Sequence, residues 1–148
     1  DSNYKEFPPL RTSKDIQALI EGLKDGTIDA ICSDHCPEDV EHKVMTFDHA
    51  NFGIIGAQTV LPLALELQKE LGLHTIIDAL SHNPRKILGI ACPTITEGTE
   101  ANLCCFSTSD EWTFTKESII SKSKNTPFLN RTFKTKVWGT VKGSLSTF

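Results

Sequence analysis

Apolar residues recur at Ile16, Leu19, Ile20 and Leu23, the spacing of a helix with one buried stripe, and Thr12 or Ser13 stands where an N-cap belongs. Asp25-Gly26 stops that helix, and Thr27 leads into Ile28-Asp29-Ala30-Ile31-Cys32, a short apolar run that predicts a buried strand. A helix joined tightly to a strand is half of a repeating βα unit. Residues 36–52 are polar and predict a long loop, of the kind that forms lids and binding segments. The Leu-rich stretch 55–72 is apolar on more than one face and predicts a largely buried helix. Pro62 suits its first turn, capped by Thr59, or marks a kink. A shorter helix is expected over 75–81. Asn83-Pro84 then reads as an N-cap and first-turn proline, with Gly89 as the stop after Ile87-Leu88.

From about residue 95 the period changes. Asn102-Leu103-Cys104-Cys105-Phe106, Trp112-Thr113-Phe114 and residues 133–138 are short, β-prone and partly alternating, and Lys142-Gly143 suits a tight turn between the last two strands. The expected fold class is α/β, with βα units over 1–94 and a small β module over 95–148. Trp112 and Trp138 fall in strands, where packing outranks ligand stacking.

At 148 residues with 39% apolar content, the chain suits one average domain with a packed core. A net charge of −4 with interspersed signs argues against nucleic acid as a partner, and no polybasic patch or spanning stretch points to a membrane. The chain opens on Asp1, in polar, turn-like sequence, as a piece of something longer would. Five cysteines, none in CxxC spacing, predict reduced and mostly buried thiols in a cytoplasmic protein. A metal knot of Cys32, His35 and Cys36 is conceivable, but its crowding does not match structural zinc spacing.

The candidate chemistry centres on Ser33-Asp34-His35-Cys36-Pro37, directly after the apolar run. Asp34 would sit at the carboxyl end of a strand with a loop after it, and in a barrel of parallel strands that end faces the active site. The bland alternative is an aspartate that ends a strand and caps the next turn. His42 and His49 belong to a charged loop and read as solvated, as does the acidic run 38–41; His74 and His82 read as surface or capping residues.

These residues resemble the carboxyl-terminal part of dihydroorotase, a cyclic amidohydrolase of pyrimidine synthesis. The motifs carrying the resemblance are Pro8-Pro9-Leu10-Arg11, residues 25–31, Ser33 to Pro37, Phe52-Gly53-Ile54, Asn83-Pro84 with Ile87-Leu88-Gly89, and Asn125-Thr126-Pro127-Phe128. The resemblance implies the last strand and helices of a (β/α)8 barrel over 1–94 and a share of a small β-sandwich over 95–148. It also implies a binuclear zinc centre that interconverts dihydroorotate and carbamoyl aspartate, with Asp34 as both metal ligand and general base then acid. Phe52 and Gly53 would meet the substrate ring through their backbone. The family's His-x-His pair, its lysine or aspartate bridge and two later histidines belong to the amino-terminal part, and no His-x-His exists in this sequence. This chain alone is therefore expected to be inert, and to associate with itself or with its missing half.

Two substrate positions depart from the family's pattern. Phe7 stands where the family has a substrate-contacting asparagine, and Glu38 where it has a substrate-binding histidine. An anion at Glu38 would repel a dianionic substrate. Asn51 and Asn102 replace a proline and an aspartate. Three readings follow: a divergent dihydroorotase drawing contacts from residues such as Arg11 or Lys43; an inactive dihydroorotase-like scaffold or interaction subunit, for instance supporting a partner transferase; or an allantoinase- or hydantoinase-type relative, since allantoinases often carry Ser-Asp-His-Ser-Pro. For Arg11 the alternative role is a salt bridge holding the loop before the first helix.

Overall fold

The computed structural model describes residues 1–148. The first helix, α1 (Ser13–Asp25), forms where its local signals place it. Thr12 and Asp15 build a reciprocal capping box, each side chain accepting the other's backbone N–H, and Gly26 ends the helix at φ 80°. Ile20 is buried, but Ile16 and Leu19 on the same stripe stand about half exposed.

The expected strand at 28–32 forms no ladder, because no other strand of this chain runs beside it. A single parallel bridge, His35 to Ile54, follows instead. The 28–32 segment is held from the helical side. Ile31 N–H donates to Ala79 O at 2.9 Å, and Asn83 Nδ2 donates to Asp29 O at 3.0 Å.

The polar loop after Pro37 contains one turn of helix, α2 (Val40–Lys43). The Leu-rich stretch is shorter and more broken than its pattern predicts: α3 (Val60–Leu65) and α4 (Gln68–Leu71), joined by a tightened turn in which Leu67 N–H reaches Ala64 O. It starts late because residues 55–57 pack against the 33–35 segment. Gly56 approaches Ser33 so closely that a Cβ would lie 2.2 Å from its carbonyl oxygen, and His35 Nδ1 accepts the Gly56 and Ala57 N–H groups at 3.1 and 3.2 Å. Thr59 occupies the N-cap position as expected, although its hydroxyl bonds Gly56 O rather than the helix.

Asn83-Pro84 does not begin a helix. The helix α5 (Leu73–Ile77) runs through a wide π turn, Asp78–His82, into α6 (Asn83–Ile87) without interruption. The reason is proline chemistry. Asn83 N–H bonds back five residues to Asp78 O. In the same register Ala79 O would need the N–H that Pro84 lacks, and Ile31 supplies it instead. The helix ends as expected at Gly89, φ 67°, with paired bonds from Gly89 N–H to Lys86 O and Ile90 N–H to Arg85 O.

The last third forms five short strands: β1 (Asn102–Ser107), β2 (Trp112–Thr113), β3 (Thr132–Phe133), β4 (Lys136–Lys142) and β5 (Leu145–Ser146). They pair antiparallel in two sheets, ordered β1-β4-β5 and β2-β3. The run expected over 133–138 is divided between β3 and β4, and the turn at Gly143, φ 58°, joins β4 to β5. The core falls into two clusters. Ile20, Ala64, Leu65, Leu71 and Ile76 form one, and Ile55, Phe114, Ile119 and Phe133 form the other, with Trp112 packed against it. None of the five cysteines is fully buried, contrary to expectation: Cys32, Cys92 and Cys104 are exposed and Cys36 and Cys105 partly so. No helix is long and apolar enough to cross a membrane.

Candidate functional site

Asp34 closes the 28–33 segment in a left-handed conformation, φ 40°, which an aspartate tolerates better than most residues but which carries strain. Its side chain is exposed and makes no hydrogen bond or ion pair within the chain; only its N–H is engaged, weakly, by Cys32 Sγ at 3.5 Å. The capping role considered as the bland alternative is thus not formed. Asp34 borders a cavity of 510 Å³ with Glu6, Phe7, Ile16, Leu19 and Ile31 in its largely apolar wall.

Glu6, not singled out by the sequence, is the second carboxyl at this mouth. Burial, and then the neighbouring Asp34 charge, raise its pKa, and its Oε1 is buried without a partner. Phe7 reaches from the same segment to Phe52, their rings meeting edge to face at 5.9 Å. Lys5 Nζ lies 4.8 Å from the Phe52 ring centre.

Gly53 lies where several distant segments meet. Its φ of 127° and a would-be Cβ 2.8 Å from Cys36 Sγ restrict the position to glycine. Lys43, only 5% exposed, donates from Nζ to Asn51 O at 2.9 Å and Gly53 O at 3.0 Å. Burial lowers the Lys43 pKa, opposed by the Glu6 and Glu38 charges. Asn125, equally buried, donates from Nδ2 to Cys36 O and Gly53 O, both at 3.0 Å, and accepts the Glu38 N–H at 3.1 Å. Glu38 itself turns onto Asn51, whose Nδ2 donates to Oε2 at 3.0 Å, with His42 Nδ1 3.6 Å away. The two residues that depart from the resembled motifs on this loop therefore bond each other.

The structure accordingly brings Asp34 and Phe7 to one cavity, Phe52 onto Phe7, and Gly53 and Glu38 onto Asn125. Arg11 stays apart and exposed, with no ion pair, so the expected salt bridge is not made. His42 and His49 are exposed, His49 bonding Thr46, and His82 bonds Asp78 at 2.7 Å. No three His, Cys, Asp or Glu side chains converge as a metal-binding group, the Cys32, His35 and Cys36 set included. Lys43, considered in the sequence as a substitute substrate contact, is instead buried with its ammonium on backbone carbonyls, and Asn125 stood out only as a motif position. Nothing in their spacing announces that they meet at Gly53.

No protein-family model matches the chain. Curated relatives do. Dihydroorotase of Geobacter metallireducens is 44% identical over 131 residues, covering 87% of this chain and 31% of that protein. Dihydroorotase of Trichlorobacter lovleyi is 38% identical over 150 residues, covering all of this chain and 35% of that protein. The chain is similar to the carboxyl-terminal part of dihydroorotase. It spans about a third of the length of the dihydroorotases it matches. Among solved structures, L-hydantoinase (dihydropyrimidinase) from Arthrobacter aurescens superimposes with a TM-score of 0.86 at 25% identity, over 97% of this chain and 34% of that one. The dihydroorotase likeness thus rests on sequence, and the hydantoinase likeness chiefly on fold.

Proposed function

We infer that this chain is the carboxyl-terminal share of a dihydroorotase-type cyclic amidohydrolase, whose whole protein interconverts dihydroorotate and carbamoyl aspartate. The observation that carries this reading is about 40% identity to dihydroorotases along nearly the whole chain, with the unpartnered Asp34 carboxylate at the mouth of the cavity. Residues 1–94 would contribute the end of a (β/α)8 barrel and 95–148 a share of its β-sandwich. The open cavity wall would receive the preceding strands.

Asp34 offers a free carboxylate that would serve as one ligand of a zinc centre, and the remaining ligands would have to come from outside this sequence, since no three such side chains converge here. Bound zinc would lower the pKa of a water and polarise the ring carbonyl. Asp34 would take the water's proton on a carboxylate oxygen and return it to the ring nitrogen as the amide bond breaks. Phe52 and Gly53 would orient the ring through their backbone.

The test is turnover of dihydroorotate by the full-length parent beside an Asp34→Asn variant. Loss of about 10²- to 10⁴-fold in turnover, the range for a positioned acid–base group, is expected. Turnover unchanged by Asp34→Asn would remove Asp34 from the chemistry. A folded parent without turnover or bound zinc would favour the second reading, an inactive scaffold, which is supported by Phe7 packing on Phe52 and Glu38 bonding Asn51 where the resembled motifs carry substrate contacts.

A further inference from the structure

We propose that Lys43 is a positioning residue: with Asn125 it fixes the Asn51–Gly53 turn so that the N–H and C=O of Phe52 stay free for a ring amide. This rests on the reading of Phe52 and Gly53 as the segment facing substrate, and adds the device that holds them.

The backbone partners along the turn make the case. Ala50 N–H donates to Thr46 O and Asn51 N–H to His42 O, each at 3.0 Å, and Asn51 O accepts from Lys43. Gly53 N–H donates to Lys5 O at 3.0 Å, and Gly53 O accepts from both Lys43 and Asn125. Ile54 O accepts the Cys36 N–H and Ile55 N–H donates to Asn125 O. Phe52 alone in this run has neither its N–H nor its C=O bonded within the chain. Lys43, through Asn51 O, holds the peptide group that carries the Phe52 N–H; Lys5 O, through the Gly53 N–H, holds the one that carries the Phe52 C=O; and Lys43 with Asn125 pins the next group at Gly53 O, so the turn is fixed on both sides of Phe52. A ring amide is cis and offers a C=O and an N–H on one edge. One residue with a free donor and a free acceptor complements that edge.

A buried ammonium is also costly to keep unless its protons are used, and burial does press Lys43 toward its neutral form. Gly53 and Asn51 use two of those protons on neutral carbonyls. That is a charge-assisted pair of bonds in a site with little water, and such bonds hold geometry more tightly than neutral ones. Phe52 remains half exposed although its neighbours Gly53 and Ile55 are buried, so the unbonded groups belong to an accessible residue.

The experiment compares the full-length parent with Lys43→Met and Lys43→Arg by hydrogen exchange of the 51–55 amides and by dihydroorotate kinetics. In Lys43→Met the Gly53 amide should exchange at least about tenfold faster, and KM should rise about tenfold with kcat within about threefold, the signature of lost ring binding rather than lost chemistry. Lys43→Arg should recover part of both effects, since charge and donors return. Unchanged exchange at Gly53 would overturn the proposal, as would a fall in kcat at constant KM. If the parent turns over no dihydroorotate, the substrate reading fails, and the exchange rates alone then decide whether Lys43 holds the turn.

Discussion

The β side of the molecule, with Ile55 completing its aromatic core, is closed, whereas the α1 side buries Ile20 and leaves Ile16 and Leu19 of the same apolar stripe open. Phe114 and Phe133 are 0% and 1% exposed, with Trp112 stacked against them and its Nε1 donating to Thr135 O. On the other side Ile16 and Leu19 are 49% and 54% exposed, and Phe7 and Leu10 more so, around a cavity bounded by a segment without a ladder. Both faces are apolar by sequence. The difference is that the first finds a covering surface within these 148 residues and the second does not.

The largest expected effect tests the closed side. Phe133→Ala should cost about 3–5 kcal/mol, the range for emptying a packed aromatic site, read from urea denaturation of the chain. Leu19→Ala in the same chain should cost less than about 0.5 kcal/mol, as for a surface position. Equal costs would erase the distinction between the two faces.

The next effect moves Leu19 into the full-length parent. If the preceding part of the protein covers the α1 face, Leu19→Ala should there cost about 2–4 kcal/mol, the range for a buried leucine. A cost still near zero would place the missing part elsewhere, and the cavity would need another explanation.

Local signals explain what the sequence made legible. Thr12, Asp15 and Gly26 lie within one helix and specify its ends regardless of what packs on it. The strand at 28–32 fails for the opposite reason: a ladder is a pairing between distant segments, and no alternation of apolar residues supplies the partner. Asn83-Pro84 misleads because the local signal of a helix start is overridden by Ile31, more than fifty residues away, which satisfies the carbonyl that Pro84 leaves free. In the site, Asp34, Phe52 and Gly53 were legible as motif positions. The Gly53–Asn125 bond, spanning 72 residues, was not. Glu6 carried no sequence signal at all: its raised pKa comes from burial and from Asp34, nearly thirty residues away.

The smallest expected effects concern the capping box of α1, the one strong local device on the open side. Thr12→Ala should cost about 1 kcal/mol, the usual penalty for losing such a cap. Asp15 is held below the ordinary value of 3.8, first by the Thr12 hydroxyl and then by the Thr12 backbone N–H. A carboxylate depressed on folding contributes stability above its unfolded pKa, and that contribution disappears as pH falls through the lower folded value. Wild type should therefore exceed Asp15→Asn in urea denaturation at neutral pH, with the gap narrowing below pH 3.8. Phe133→Ala, which removes no charge, should show a gap to wild type with no such window. The Asp15 gap should also shrink in high salt, because the pair is fully exposed. A gap that persists unchanged into acid would mean that the box does not hold α1 electrostatically. Ile20, packed in the cluster with Ala64, Leu65, Leu71 and Ile76, would then be the main attachment of that helix.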